Sequence, residues 1–293
     1  MLILISDAFD DALPGKLARL GEVTDDKARL PEADIVLIRS ATKCTKEWID
    51  EAQNLKLIIR GGVGMDNIDR PYAHSKGVVT TNTAQASAIA VAELAFALML
   101  AIPNNIVPGN QSMHEGHWLK KKLKRTELYG KTLGLIGLGN IATEVAKRAK
   151  AFGMHVIAQR KSGKPSDHAI VVTRAEELFE KADYISLHVP LTPDTEGMIN
   201  AETIALMKDD VIIINTGRGK TVNEHDLAAA LQSGKVRAYG TDVYYSDPPP
   251  EDTPLRDAPN VVMTPHIGSS SKENLARVGD VACLKIEEFL AKK

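Results

Sequence analysis

The sequence predicts an α/β protein of two doubly wound parallel sheets, and three observations carry that prediction. The chain has 293 residues, enough for two cores at the usual domain size of about 100 to 200 residues. Short apolar strand patterns alternate with helical patterns through both halves. In the middle, an apolar run breaks into Gly137-x-Gly139-x-x-Ala142 and then into a helical pattern.

The elements follow in order. Leu2 to Ile5, Ile35 to Arg39, Leu57 to Ile59 and Val78 to Thr80 read as short strands, with helical segments at Leu13 to Leu20 and Lys46 to Ala52, which makes a small α/β domain. A long alanine-rich helix, Ala86 to Ala101, is apolar on nearly every side and is expected to be buried between domains or subunits; Pro103 ends it. Leu133 to Ile136 is a buried parallel strand and Thr143 to Phe152 a helix whose free amides and positive dipole end point at a phosphate. Gly137 permits the tight turn and Gly139 the approach of backbone to a pyrophosphate. The next strand, His155 to Gln159, arrives on schedule, so the turn reads as a dinucleotide site. Further strands are expected at Ala169 to Val172, Tyr184 to Leu187, Val211 to Ile214, Ala238 to Asp242 and Val261 to Met263, separated by helices such as Ala201 to Met207 and Glu224 to Gln232. The last helix, Lys272 to Ala291, is expected to return to the first domain. That divides the chain into 1–84 with 270–293 and 85–269.

Composition narrows the function. A net charge of −2, with 25% charged and 44% hydrophobic residues, argues against a general nucleic-acid or membrane-surface binder. Cys44 and Cys283 stand far apart without metal or disulfide spacing, which fits a reducing compartment. The first residues lack a basic region and meet Asp7 early, and no apolar run of about 18 residues occurs, so a cytoplasmic protein is expected. The cluster Lys120 to Arg125 reads as a solvated basic face, or as a guide for an anionic substrate. His114 and His117 lack a neighbouring third ligand, so no metal is assigned.

In an open α/β sheet, chemistry sits at the carboxyl ends of strands. Three polar residues stand there: Arg218 after Val211 to Ile214, Asp247 beyond the strand ending at Asp242, and His266 after Val261 to Met263. A guanidinium can clamp a carboxylate bidentately. A histidine held by a carboxylate can give a proton to a developing alkoxide or take one from a hydroxyl. Taken singly, each could be a structural ion pair or a satisfied loop residue; together, beside a nucleotide turn, they point to catalysis.

With these residues the chain resembles the D-isomer-specific 2-hydroxyacid dehydrogenases, from about Arg39 to the last helix. The resemblance implies two Rossmann-like domains, the first discontinuous, and hydride transfer between a nicotinamide and C2 of a short 2-hydroxy or 2-keto acid. It implies that Arg218 binds the substrate carboxylate and keto oxygen, that His266 is the acid/base, and that Asp247 orients it. The family usually has glutamate at that place, so the shorter Asp247 is expected to hold His266 less closely or to shift the pH profile. The loop Gly61 to Asn67 is similar to the family's substrate-cradling loop, with backbone amides at Val63 and Gly64.

The N-terminal part is most similar to the 3-phosphoglycerate dehydrogenase branch, through Ile38 to Lys43, Ile59 to Gly62 and the stretch Trp118 to Leu128. Arg39 and Arg60, with Ser40, are then expected at a substrate phosphate; pairing of both arginines with nearby acids is the alternative. The chain stops after its closing helix, so the regulatory domains that follow in some of these enzymes are not expected. Hydroxypyruvate or glyoxylate reduction is the alternative activity. A nucleotide-sensing, corepressor-like binding protein and a formate dehydrogenase are weaker readings.

An acid at the end of the strand after the glycine turn would hold the adenosine ribose and repel a 2′-phosphate. Here the strand runs into Arg160, Lys161 and Ser162. Two cations and a hydroxyl favour NADP(H), with NAD(H) or dual use as the alternative. The resemblance further implies Asn140 and Ile141 at the pyrophosphate, Val189, Pro190 and Thr195 near the adenosine, and Thr216, Gly217, Asp242 and Gly268 around the nicotinamide. It also implies a homodimer formed through the cofactor domain.

Overall fold

The computed structural model describes residues 1–291. Along the chain the elements are β1 (Leu2–Ile5), α1 (Leu13–Leu17), β2 (Glu22–Thr24), β3 (Ile35–Ile38), α2 (Lys46–Glu51), β4 (Leu57–Arg60), α3 (Arg70–Ser75), β5 (Val79–Asn82), α4 (Ala88–Ala101), α5 (Ile106–His114), β6 (Thr132–Ile136), α6 (Asn140–Ala151) and β7 (His155–Gln159). They continue with β8 (Ile170–Val172), α7 (Glu176–Phe179), β9 (Tyr184–Leu187), α8 (Ala201–Ala205), β10 (Val211–Asn215), α9 (Glu224–Ser233), β11 (Val236–Thr241), α10 (Pro254–Asp257), β12 (Val261–Met263) and α11 (Lys272–Leu290). Both sheets are wholly parallel, as expected for an α/β fold.

Two compact units emerge, Met1–Ala90 with Ser269–Lys293 and Val91–Gly268. In the first, five strands run in the order β2-β1-β3-β4-β5. Strands β1, β3 and β4 are buried along nearly their whole length, which is why they read as continuous apolar runs rather than alternating ones. Ala282, Cys283 and Ile286 of α11 join Ile3, Leu13, Leu17, Leu37 and Ile59 in one core. The pairs Lys16–Asp280 and Arg19–Glu287 tie α11 to the region of α1.

In the second unit seven strands run β12-β11-β10-β9-β6-β7-β8. The order reverses beside β6, the switch point at which such sheets open a crevice. Successive residues of β10 face opposite sides: Ile212 and Ile214 pack with α4 and α6, Ile213 with α7, α8 and α9. Helix α6 begins at Asn140, three residues before the position expected from the sequence, because Gly139 serves as its N-cap.

Strand β2 and helices α3 and α5 are among the elements that the sequence reading leaves out. Strand β2 is a three-residue edge strand without a buried face. Helix α5 carries Pro108 and Gly109, which suggest a break, yet Pro108 lies in the first turn, where its missing N–H is not needed.

Candidate active site

Arg218, Asp247 and His266 all lie in the second unit, beyond the carboxyl ends of three consecutive neighbours in its sheet, β10, β11 and β12. After β10 the wholly buried Asn215 shapes the turn. Its Nδ2 donates to the Arg218 carbonyl at 3.0 Å and its Oδ1 accepts the Gly217 amide at 3.0 Å. The Thr221 hydroxyl donates to the same Arg218 carbonyl at 2.7 Å. Gly219 passes so close to Tyr244 that a side chain there would overlap the Tyr244 backbone. The Arg218 guanidinium donates to the Gly217 carbonyl at 2.7 Å.

Past β11, the segment that carries Asp247 is pinned at several points. The Tyr244 hydroxyl donates to the Thr264 carbonyl at 2.7 Å, and burial pushes that phenol up to about 12, so it remains a neutral donor. Glu224 accepts from the Tyr245 amide at 3.3 Å and from the Thr253 hydroxyl at 3.1 Å. Lys220 lies 4.6 Å over the Tyr245 ring.

His266 follows β12 with φ of 54°, in the left-handed region. That conformation costs a non-glycine residue about 1 to 2 kcal/mol, and the buried carboxylate of Asp242 holds it in place. Asp242 accepts from the Thr264 hydroxyl at 2.7 Å and from the Ile267 and Gly268 amides at 2.8 and 2.7 Å. The His266 Nδ1 donates to Asp247 Oδ2. Asp247, one methylene shorter than glutamate, therefore reaches the imidazole. A carboxylate only accepts, so Nδ1 carries the hydrogen and Nε2 is left as the nitrogen that can exchange a proton.

The glycine turn joins β6 to α6. Gly137 has φ of 87°, and a side chain there would meet the His188 carbonyl at 2.7 Å and the Val189 side chain at 2.9 Å. No side chain caps the N-terminus of α6, so its first amides, at Asn140 and Ile141, have no intrahelical partner. The space in front of Gly139 is open to 4 Å. Thr216, 8% exposed, has a buried hydroxyl with no partner among the described residues, just past the end of β10. An amide-lined helix start, an open glycine and an orphaned hydroxyl together fit a dinucleotide.

Beyond β7, the Arg160 amide donates to the Val172 carbonyl and the turn closes through Gly163. Lys161 pairs with Asp194 at 2.7 Å. Val189 and Pro190 follow β9, and the Thr195 hydroxyl closes the next turn by donating to the Pro190 carbonyl at 2.7 Å. His188 was not singled out from the sequence. Its Nε2 lies 2.9 Å from the Ser186 hydroxyl, its Nδ1 is buried with no partner among the described residues, and burial holds the imidazole down at about 4. Nothing in the sequence pattern marks that burial.

In the first unit, Asp7 accepts from the Arg39 and Thr42 amides and the Thr42 hydroxyl, at 2.5, 3.1 and 2.6 Å. Among the described residues the half-buried Arg39 guanidinium donates to the Ala8 and Ser269 carbonyls, both at 3.4 Å, and burial lowers its pKa against the opposing pull of the Asp7 charge. It forms no ion pair among the described residues. Arg60 folds back on its own loop, donating to the Gly61 carbonyl at 3.4 Å. Asn82 holds the Val63 carbonyl at 2.6 Å, and Asn67 the Arg39 and Thr42 carbonyls at 2.7 Å. Ser40 is exposed next to Arg39, and Gly64 continues the loop held by Asn82. Among the described residues no three His, Cys, Asp or Glu side chains converge as a metal site.

A doubly wound parallel sheet with a glycine turn at its switch point defines a dinucleotide-binding α/β protein. The chain belongs to the D-isomer specific 2-hydroxyacid dehydrogenases: residues 96–268 match the NAD binding domain of that family. It is 50% identical over 252 residues to a hydroxypyruvate reductase of Thermotoga maritima, covering 85% of this chain and 82% of that protein. It is 42% identical over 300 residues to a D-3-phosphoglycerate dehydrogenase of Methanocaldococcus jannaschii, covering 98% of this chain and 57% of that protein. The chain thus spans little more than half the length of that relative. The D-lactate dehydrogenase of Aquifex aeolicus, solved with NAD and lactic acid, superposes with a TM-score of 0.87 at 29% identity, covering 100% of this chain and 96% of that one. The cofactor is a nicotinamide dinucleotide.

Proposed function

We propose that the protein interconverts a short D-2-hydroxy acid and its 2-keto acid, with Arg218 holding the substrate acid, His266 moving the proton and Asp247 fixing the imidazole. The observation that carries this reading is the His266–Asp247 hydrogen bond, which joins the ends of β12 and β11 next to the strand end that bears Arg218. Bound nicotinamide supplies or accepts the hydride at C2. In the reductive direction His266 Nε2 gives its proton to the alkoxide that forms, and the Asp247 carboxylate, accepting from Nδ1, orients the ring for that transfer. Arg218 neutralises the substrate carboxylate and polarises the keto oxygen.

For the substrate, 3-phosphohydroxypyruvate is the first reading. Arg39 supports it: a half-buried cation whose hydrogen bonds run long to carbonyl oxygens suits a phosphate, with Ser40 and Arg60 in the same unit and the Val63 and Gly64 amides for the acid. Hydroxypyruvate is the second, favoured by the reductase from Thermotoga maritima. Initial rates with the two keto acids, each with NADH and NADPH, separate them. If R39A weakens both substrates equally, the phosphate assignment fails.

Arg160, Lys161 and Ser162 support NADP(H) over NAD(H), with Asn140, Ile141, Val189, Pro190, Thr195, Thr216, Gly217 and Gly268 as further cofactor contacts; dual use is the alternative. A homodimer formed through the second unit is supported by exposed Ile106, Val107, Met113 and Trp118 on α5 and the arm that follows it. Light scattering at twice the chain mass is the expected result.

A further inference from the structure

The strand order β9-β6-β7 places the turn after β7 and the turn after β9 on either side of β6 and its glycine turn. Lys161, in the first of these turns, and Asp194, in the second, are joined by their side chains at 2.7 Å. Their ion pair therefore bridges the two loops that flank the carboxyl end of the strand leading into the nucleotide turn. Both side chains are largely exposed, at 74% and 72%, so the pair is weak and can be exchanged.

The two partners are held unequally. Asp194 sits in a closed turn: the Thr195 amide donates to the Thr192 carbonyl at 3.0 Å, and the Thr192 amide to the Thr195 hydroxyl at 2.8 Å. Lys161 reaches across on a flexible four-carbon stem. Of the two, the lysine is the partner that can turn to another anion, while the carboxylate stays where it is.

We propose that Asp194 is a determinant of cofactor choice: it supplies, from the loop after β9, the negative charge that the end of β7 lacks, and it competes with a ribose 2′-phosphate for Lys161. This rests on the reading that the turn Arg160–Gly163 receives the adenosine ribose. A 2′-phosphorylated dinucleotide has to take Lys161 from Asp194 and then lie near that carboxylate. A dinucleotide without the phosphate leaves the pair closed. Asp194 thereby moderates the preference that Arg160 and Lys161 create, and the chain is able to use both cofactors.

The test is calorimetric binding of adenosine 2′,5′-bisphosphate and adenosine 5′-monophosphate to the full chain, with NADPH and NADH rates in parallel, for wild type, D194N and R160A. D194N is expected to tighten the bisphosphate by about three- to fivefold at low salt, the scale of an exposed ion pair, while leaving the monophosphate unchanged. That gain shrinks as salt screens the charges. R160A is expected to weaken the bisphosphate selectively. If R160A does so and D194N changes neither ligand, Asp194 has no part in the choice and the proposal falls while the ribose-site reading stands. If neither variant alters the ratio, the ribose-site reading falls and takes the proposal with it.

Discussion

Gly268 donates its amide to the buried carboxylate of Asp242 at 2.7 Å. Together with the Ile267 amide and the Thr264 hydroxyl on the other oxygen, this bond fixes the backbone on both sides of His266. Asp242 thus acts on the imidazole through the loop that bears it, whatever it also does toward the cofactor. Replacing it with alanine leaves three donors without their partner, at about 1 to 3 kcal/mol for each that stays dry. D242A is expected to lower the melting temperature and kcat together. An unchanged kcat in a folded variant would remove this anchoring role.

Loss of the imidazole in H266A is expected to cut turnover by about two to four orders of magnitude, with dinucleotide binding retained in a fluorescence titration. Turnover near wild type would overturn the acid/base assignment. D247N, which removes the charge facing Nδ1, is expected to fall between the two. D247E should stay within about fivefold of wild type, because a carboxylate is kept.

Arg218 is expected to be irreplaceable by lysine. R218K keeps the charge but loses the planar fork, and kcat/KM should drop by about a hundredfold or more. A variant within a fewfold of wild type would mean that a point charge suffices and that bidentate binding of the acid is wrong.

His188 imposes a pH dependence on stability. Its folded pKa, about 4, lies below the ordinary 6.5 because burial disfavours the charged ring. Between those values the unfolded chain binds a proton that the folded chain does not, so stability falls as pH drops through that window, by up to about 1.4 kcal/mol per unit. Urea midpoints at pH 7.5 and pH 5 should therefore fall further for wild type than for H188Q. Equal falls would exclude His188 as the source.

Much of this fold is legible in the sequence because parallel strands buried on both faces leave unbroken apolar runs, as in Val211 to Ile214 and Ile35–Ile38. Strand β2 leaves no such run. The candidate site is legible by position, since polar residues just past those runs occupy strand ends: Arg218 and His266 lie in the turns after β10 and β12. The supporting contacts were not legible. Lys161 and Asp194 lie 33 residues apart with no periodic relation, and the burial of His188 and Asn215 arises only when neighbouring strands and turns close around them.

Arg218, Asp247 and His266 come from one continuous stretch of sequence, and their strands are neighbours in one sheet. The proposed acid-binding and proton-moving groups are therefore inherited as a single block. A gene fusion or recombination event with breakpoints outside that stretch carries the whole trio intact. Lineages can then exchange flanking segments without reassembling that block.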